Sequence, residues 1–310
     1  MAVGDIISVA RYNQMQDRAN KVLGVGDVER YGPTFGYGQT VASSSLPTNV
    51  NNNPTVVNAT HMQNLKTDLQ KAYVHQNNSF VVLTDVESED DITDAVYVEY
   101  ETASVDIETN ALSYNINQMT APESKLAVTR TTQWGHPTVS TIIHEWTVSF
   151  DNNDHLRAFF NSGGEVRTRA SLSGGSGAKY TSWIGMITTV GVVKFAYTDT
   201  TADSGTDYNR GAYDLTAGDD YVNIWYYEPG AGTYENNNIT YQAKLNSAGN
   251  QLSFKVIYRD GDPNDPGDGT SGIDEAVSGT FRSIVEQQRA TGSYVEVDSP
   301  AYANTQTLGE

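Results

Sequence analysis

Residues 239–258 read ITYQAKLNSAGNQLSFKVIY, and apolar side chains fall at every second position on both sides of a short polar break. Ile239, Tyr241, Ala243 and Leu245 lead to a turn at Ser247–Asn250, and Leu252, Phe254, Val256 and Tyr258 follow it. Successive side chains of a strand point to opposite faces, so this spacing describes one apolar face carried through a hairpin. The same period of two marks Ile142, His144, Trp146, Val148 and Phe150, then Val166, Thr168, Ala170 and Leu172, then Val193, Phe195 and Tyr197. YVNIWYYE (221–228), GTFRSIVEQQ and SYVEVDS add further strands. Short alternating strands separated by Gly, Asn and Asp turns predict an antiparallel sandwich over 125–310. Two short helices are expected within it, near DNNDHLRAFFNSGG and TSWIGMITTVG.

The first hundred residues follow another period. Tyr12, Met15, Ala19 and Val22 recur at three, four and three, one face of an amphipathic helix. Ser8 suits its N-cap, and Gly24 stands where a terminating glycine belongs. Met62, Leu65, Leu69 and Ala72 repeat the spacing, each 50 residues after its counterpart, with Asn58 in the place of Ser8. Between them, about 24–54, lies a Gly/Tyr/Ser/Pro/Asn-rich linker without helical period. So long a structureless run is unusual inside a compact domain and is easier to explain against a neighbouring subunit. Residues 90–110 fit a helix through Ile92, Val96, Tyr100, Ala103 and Ile107 and a strand through Val96, Val98 and Tyr100; Asp90 and Asp91 favour the helix. The expected fold class is therefore α+β: N-terminal helical segments followed by a mainly antiparallel β-sandwich of jelly-roll or Ig-like type. The expected divisions are 1–78 for the helical repeat and linker, 79–124 for a helical connection, and 125–310 for the sandwich.

Charge narrows the function classes. With 38 acidic and 19 basic residues the chain carries a net charge of −19. A nucleic-acid backbone or an anionic lipid surface needs a basic face, so neither is an expected partner. The absence of cysteine removes disulfides, thiol catalysis and Cys-based zinc sites. The start of the chain lacks a basic segment and a long apolar run, so no secretory leader is expected, and no stretch has the length of a membrane span.

Candidate chemistry is sparse. LSGGSGAKYTSW (172–183) brings glycines, a lysine and a threonine together as phosphate-binding loops do. The Walker spacing fails, because Gly177 is followed by Ala178 and Lys179 by Tyr180. The preceding strand also alternates, whereas a buried parallel strand would be continuously apolar. The stretch reads as a turn. YRDGDPNDPGDG (258–269) resembles a calcium loop, with Asp260, Asp262 and Asn264 at its first, third and fifth positions. Asp265 replaces the required glycine and Ser271 the final glutamate. An acidic strand connection fits better; weak calcium binding is the alternative. His144 is expected in the core or between sheets, and GHP at 135–137 in a turn. No Gly-x-Ser-x-Gly elbow occurs, and nothing selects a carboxylate pair for glycoside cleavage. No cofactor is implied.

The aromatic run Trp225, Tyr226 and Tyr227 must place rings on both faces of its sheet. One face packs the core. A neighbouring subunit is the favoured cover for the other, with intramolecular cover and glycan stacking as alternatives. Together with the two helix faces, these three aromatics are the candidate assembly surfaces.

FDNNDHLRAFFNSGGEVRTRASLSGGSG, the following TSWIGMI, the late VSGTFRSIVEQQRATGSYVEVDSPAY and the N-terminal GDIISVARYNQM resemble virion structural proteins of tailed phages, especially those of marine cyanobacteria. The most specific part surrounds Phe159, Phe160, Asn161, Gly163, Gly164, Glu165, Val166 and Arg167. The resemblance implies a structural component of the particle with no catalytic motif; its expected place is the tail, neck or fibre region, assembled in the host cytoplasm from copies of itself and other virion proteins. A host-surface glycan binder and a capsid decoration protein are the alternatives. The N-terminal helices are the expected docking elements.

Overall fold

The computed structural model describes residues 9–47, 55–77, 79–88, 90, 92–135, 139–261 and 276–309. The chain divides into two compact units. The first is helical and comprises Met1–Thr120, Asp154–Gly163 and Arg289–Asp298. The second is a sandwich of Ala121–Asn153, Gly164–Gln288 and Ser299–Glu310. The division differs from the linear one read from the sequence. Residues 79–120 belong with the helices, and two later segments return to them.

The helical unit contains α1 (Val9–Leu23), α2 (Val28–Tyr31), α3 (Ala59–Asn77), α4 (Asp94–Thr109) and most of α5 (Asn153–Asn161). Local chemistry starts these helices where the sequence suggested. Asn58 Oδ1 accepts from the His61 backbone N–H at 3.1 Å, and His61 Nδ1 accepts from the Asn58 N–H at 3.2 Å. That reciprocal pair satisfies two donors that a helix start leaves open. Thr93 caps α4 through Val96 N at 3.4 Å. Ser8 lies outside the described residues.

Tyr12, Met15, Ala19 and Val22 on α1 and Met62, Leu65, Leu69 and Ala72 on α3 are all 0% exposed. They form a core with Tyr97, Tyr100 and Ile107 of α4, and each of the three helices packs on the other two. This corrects the expectation that these eight residues dock on another subunit. Burying such a side chain yields about 1.5–3 kcal/mol wherever it happens. Within one chain the gain comes without the translational and rotational cost of association.

The first half of the linker is corrected in the same way. Residues 24–47 fold onto their own helices. Tyr37 is fully buried and donates its hydroxyl to Ala111 O at 2.6 Å. The Asp68 carboxylate, also fully buried, accepts from Ala42 N at 2.9 Å, Ser43 N at 2.7 Å and Ser43 Oγ at 2.7 Å. Asn13 holds Leu46 from both its amide atoms at 2.8 Å. The returning segments are tied in by Arg157, which donates to Val25 O and Gly26 O, and by Asn161 Nδ2, which donates to Pro33 O at 3.1 Å.

The sandwich unit holds β1 (Glu123–Arg130), β2 (Thr141–Ser149), β3 (Glu165–Ser173), α6 (Ala178–Val190), β4 (Val193–Phe195), β5 (Thr200–Thr201), β6 (Thr206–Asp207), β7 (Val222–Tyr227), β8 (Asn238–Leu245), β9 (Gln251–Arg259), β10 (Thr280–Gln288) and β11 (Ala301–Thr307). Two antiparallel sheets pack together, ordered β1-β10-β3-β4-β5 and β11-β2-β9-β8-β7-β6. The β1·β10 pair lies in the first sheet and the β2·β9 pair in the second, and β3 returns beside β10. Strand pairs of a jelly roll pass between sheets in this manner. The alternating residues named from the sequence face inward: in β9, Leu252, Phe254, Val256 and Tyr258 are buried and their neighbours are not. Phe254 stacks on Trp146 at 5.4 Å and meets Phe195 of the other sheet edge-on at 5.0 Å.

Candidate functional site

The loop 173–177 ends at α6, whose second residue is Lys179. Lys179 Nζ donates to Asp260 Oδ2 at 2.8 Å, and both side chains are 0% exposed. Asp260 follows the last residue of β9, and its backbone N–H donates to Ser140 O at 2.8 Å. The Tyr234 ring centroid lies 5.9 Å from the ammonium. One turn along α6, Trp183 meets Trp134 edge-on at 4.6 Å, and Trp134 meets Phe281 at 5.6 Å. Gly135 has φ +89, and a Cβ there would stand 2.6 Å from Asp260 Oδ2, so no larger residue fits. A buried ion pair of this kind repays its desolvation only through close geometry.

This pairing answers two sequence readings. The lysine of the glycine-rich stretch is a buried counter-ion and not a phosphate ligand. Asp260 of the candidate calcium loop is paired with Lys179; Asp262 and Asn264 lie outside the described residues. Among the described residues no three His, Asp or Glu side chains converge as a metal ion would need.

A second polar cluster crosses between the sheets. His144 of β2 is 0% exposed. Its Nε2 lies 3.0 Å from Asn304 Oδ1 and its Nδ1 3.0 Å from Ser283 Oγ of β10. An amide oxygen only accepts, so Nε2 carries the proton and Nδ1 accepts from the serine. Tyr258 OH lies 3.2 Å from the same hydroxyl. Burial holds His144 below its ordinary pKa, which keeps it neutral. Serine, histidine and an amide in this order resemble a nucleophilic triad. Ser283 is itself 0% exposed, so its hydroxyl is sealed from any substrate and the cluster serves as a tie between sheets. The GHP histidine, His136, lies outside the described residues.

The aromatic strand is also covered within the chain. Trp225 is 2% exposed, against the backbone of Gly205 and edge-on to Tyr241 at 5.4 Å. A bulge between Asn223 and Trp225 lets consecutive Ile224 and Trp225 both be buried. Intramolecular cover therefore replaces the neighbouring subunit favoured for Trp225. Tyr226 and Tyr227 are half-buried. Burial first and a hydrogen bond to Glu228 second push the Tyr226 phenol up to about 12.

Open grooves occur among the described residues of the sandwich unit. One, of about 300 Å³, runs between β3 and α6 and is lined by Leu172, Ile184, Ile187 and Val192 among others. Another, of about 410 Å³, lies where β1 and β11 end, between Thr129, Thr131, Gln306 and Thr307. There the Arg130 guanidinium donates to the Leu308 and Gly309 carbonyls. Neither groove brings a nucleophile and a base together.

No protein-family model, curated protein or solved structure matches the chain.

Sequence reading missed the Lys179–Asp260 pair, whose members stand 81 residues apart. It also missed the outer face of α4. There the signal was present as a three-four spacing through Val98 and Val105, overlain by the inward face that carries Tyr97, Tyr100 and Ile107.

Proposed function

We propose that this protein is a structural subunit of a tailed-phage virion, in its tail, neck or fibre region, working by assembly with copies of itself. The resemblance of 150–177 and of the late 277–302 segment to such proteins suggests the setting. The observation that carries the assembly part is the distribution of exposed apolar side chains. Val25, Val28, Phe80, Val82, Val98 and Val105 are all more than 40% exposed, and all lie in the helical unit. Exposed apolar residues gathered on one unit favour a protein partner. The polar clusters that might have served catalysis, by contrast, are buried as structural ties.

Mass spectrometry of purified particles and a map of the intact virion test this reading. The chain is expected in stoichiometric amounts at one symmetric position; its absence from particles overturns the proposal. The same map separates a tail position from a capsid decoration role. A second reading, recognition of host-surface glycan, draws on Tyr208 and Tyr213, which are 39% and 54% exposed near Asp207 and Asp214 in the chain. Sugars stack on such rings. Replacing both tyrosines by alanine should abolish glycan retention if this reading is right, and leave it unchanged if it is not.

A further inference from the structure

Helix α4 has two uncharged faces. One is the buried face already described. On the other stand Ala95, Val98, Thr102, Val105, Thr109 and, in the turn that follows, Leu112, all exposed. Their spacing is three, four, three, four, three, the seam by which one helix packs along another. The two threonines do not make the row polar. Thr102 Oγ1 donates to Val98 O at 2.8 Å and Thr109 Oγ1 to Val105 O at 2.9 Å, so each hydroxyl is satisfied by its own helix.

The carboxylates that flank the row are also satisfied inside the chain. Arg11 binds Asp94 at 2.8 Å and Glu101 at 2.7 Å. Lys21 and Arg18 bind Glu108 at 2.6 and 3.1 Å. Asp106 accepts from Tyr73 OH at 2.7 Å, and Glu99 from Thr84 N at 2.7 Å and Thr84 Oγ1 at 2.8 Å. These are all the acids of α4. In a chain of net charge −19, the pairing of Asp94, Glu101 and Glu108 with Arg11, Arg18 and Lys21 lowers the repulsion between two such helices, while Glu99 and Asp106 keep their charge.

We propose that the outer row of α4 is the contact for a second copy of this chain, α4 against α4, antiparallel about a two-fold axis between Thr102 and Val105. The side chains themselves select this partner. The antiparallel register sets Ala95 opposite Leu112, Val98 opposite Thr109 and Thr102 opposite Val105. The smallest residue meets the largest, and valine meets threonine, its near-isostere. Every contact occurs twice, as an isologous interface requires, and the two helix dipoles oppose. The row is about 25 Å long at 1.5 Å per residue. One helix width of about 10 Å makes that roughly 250 Å², short of the roughly 800 Å² per partner of a stable complex, so pairing in solution is weak and concentration-dependent.

The pairing deepens the assembly reading and is tested without the particle. The chain has no cysteine, so Val98→Cys and Thr109→Cys each introduce the only thiol. Under mild oxidation, a mixture of the two variants should form disulfide-linked dimers several-fold faster than either alone, and faster than a Tyr213→Cys control. A mixture no faster than the control, or either variant linking alone as fast as the mixture, overturns the proposal. Val105→Glu should lower the dimer fraction in sedimentation equilibrium with the helical circular dichroism unchanged. A wild-type chain that stays monomeric at all concentrations, or a dimer indifferent to Val105→Glu, also overturns it. Pairing in solution by a chain absent from particles would keep this inference and sink the virion reading; an unpaired chain found in particles would do the reverse.

Discussion

The helical and sandwich units solve burial differently. In the sandwich, two sheets seal each other, and even polar groups are drawn inside in matched pairs: Lys179 with Asp260, His144 with Ser283. In the helical unit, three helices share one core, yet a helix has a full circumference to cover. Of the twelve large apolar side chains exposed among the described residues, all but Tyr208 and Tyr213 belong to the helical unit. All four tryptophans, Trp134, Trp146, Trp183 and Trp225, belong to the sandwich and are at most 2% exposed. The difference teaches that the two units suit different work: the sandwich is closed on itself, while the helices keep surface to offer.

This comparison can be broken by experiment, because tryptophan fluorescence reports the sandwich and far-ultraviolet circular dichroism chiefly the helices. The largest effect is expected at Asp260→Ala. It strands a buried lysine and should cost about 3–5 kcal/mol. The fluorescence transition in urea should move to lower denaturant while the helical signal holds. Loss of both together would show that the units unfold as one. Replacing the pair jointly, Lys179→Met with Asp260→Leu, should recover most of the loss.

Leu65→Ala is the matching probe of the helical core. Removing a fully buried leucine costs about 2–5 kcal/mol, and here the helical signal should fall while tryptophan emission stays native. Acid should act next. Burial holds His75 of α3 down to about 4 from 6.5, its hydrogen bond to the Ser162 carbonyl opposing the shift. Its folded pKa is the lower one, so stability is intact above pH 6.5 and falls as pH drops towards 4, where the unfolded chain takes a proton that the folded chain refuses. At 1.36 kcal/mol per pH unit the loss reaches about 3 kcal/mol. His75→Gln should flatten the pH dependence of the helical transition across that window. An unchanged slope would assign it elsewhere. Last, Thr93→Ala removes the α4 cap and should cost about 1 kcal/mol, read as an earlier helical transition.

Much of this fold is legible along the chain. The β8–β9 hairpin follows its alternation residue by residue, and both repeated helices run where their spacing puts them. Asn58 caps α3 as its position implied. The candidate sites were far less legible. Lys179 drew notice through adjacent glycines, which describe a turn, while the residue that gives it meaning lies at the end of β9. Trp225 was read by strict alternation, and a bulge broke that alternation. The linker looked structureless because its order comes from single contacts, such as Ser43 on Asp68 and Tyr37 on Ala111, which have no period to detect.

By itself, the sequence determined the apolar face of the regularly periodic elements, such as α1, α3 and the β8–β9 hairpin. That property is local: the period of the backbone decides it, and neighbours in sequence are neighbours in space. Only the tertiary structure decided what covers each face. It set α1 and α3 against α4 within one chain, joined Lys179 to Asp260, and returned residues 154–163 and 289–298 to the helical unit. Cover is chosen by the free energy of the whole chain, which favours the nearest apolar surface that needs no second molecule. Among the described residues, the outer row of α4 is a face left exposed.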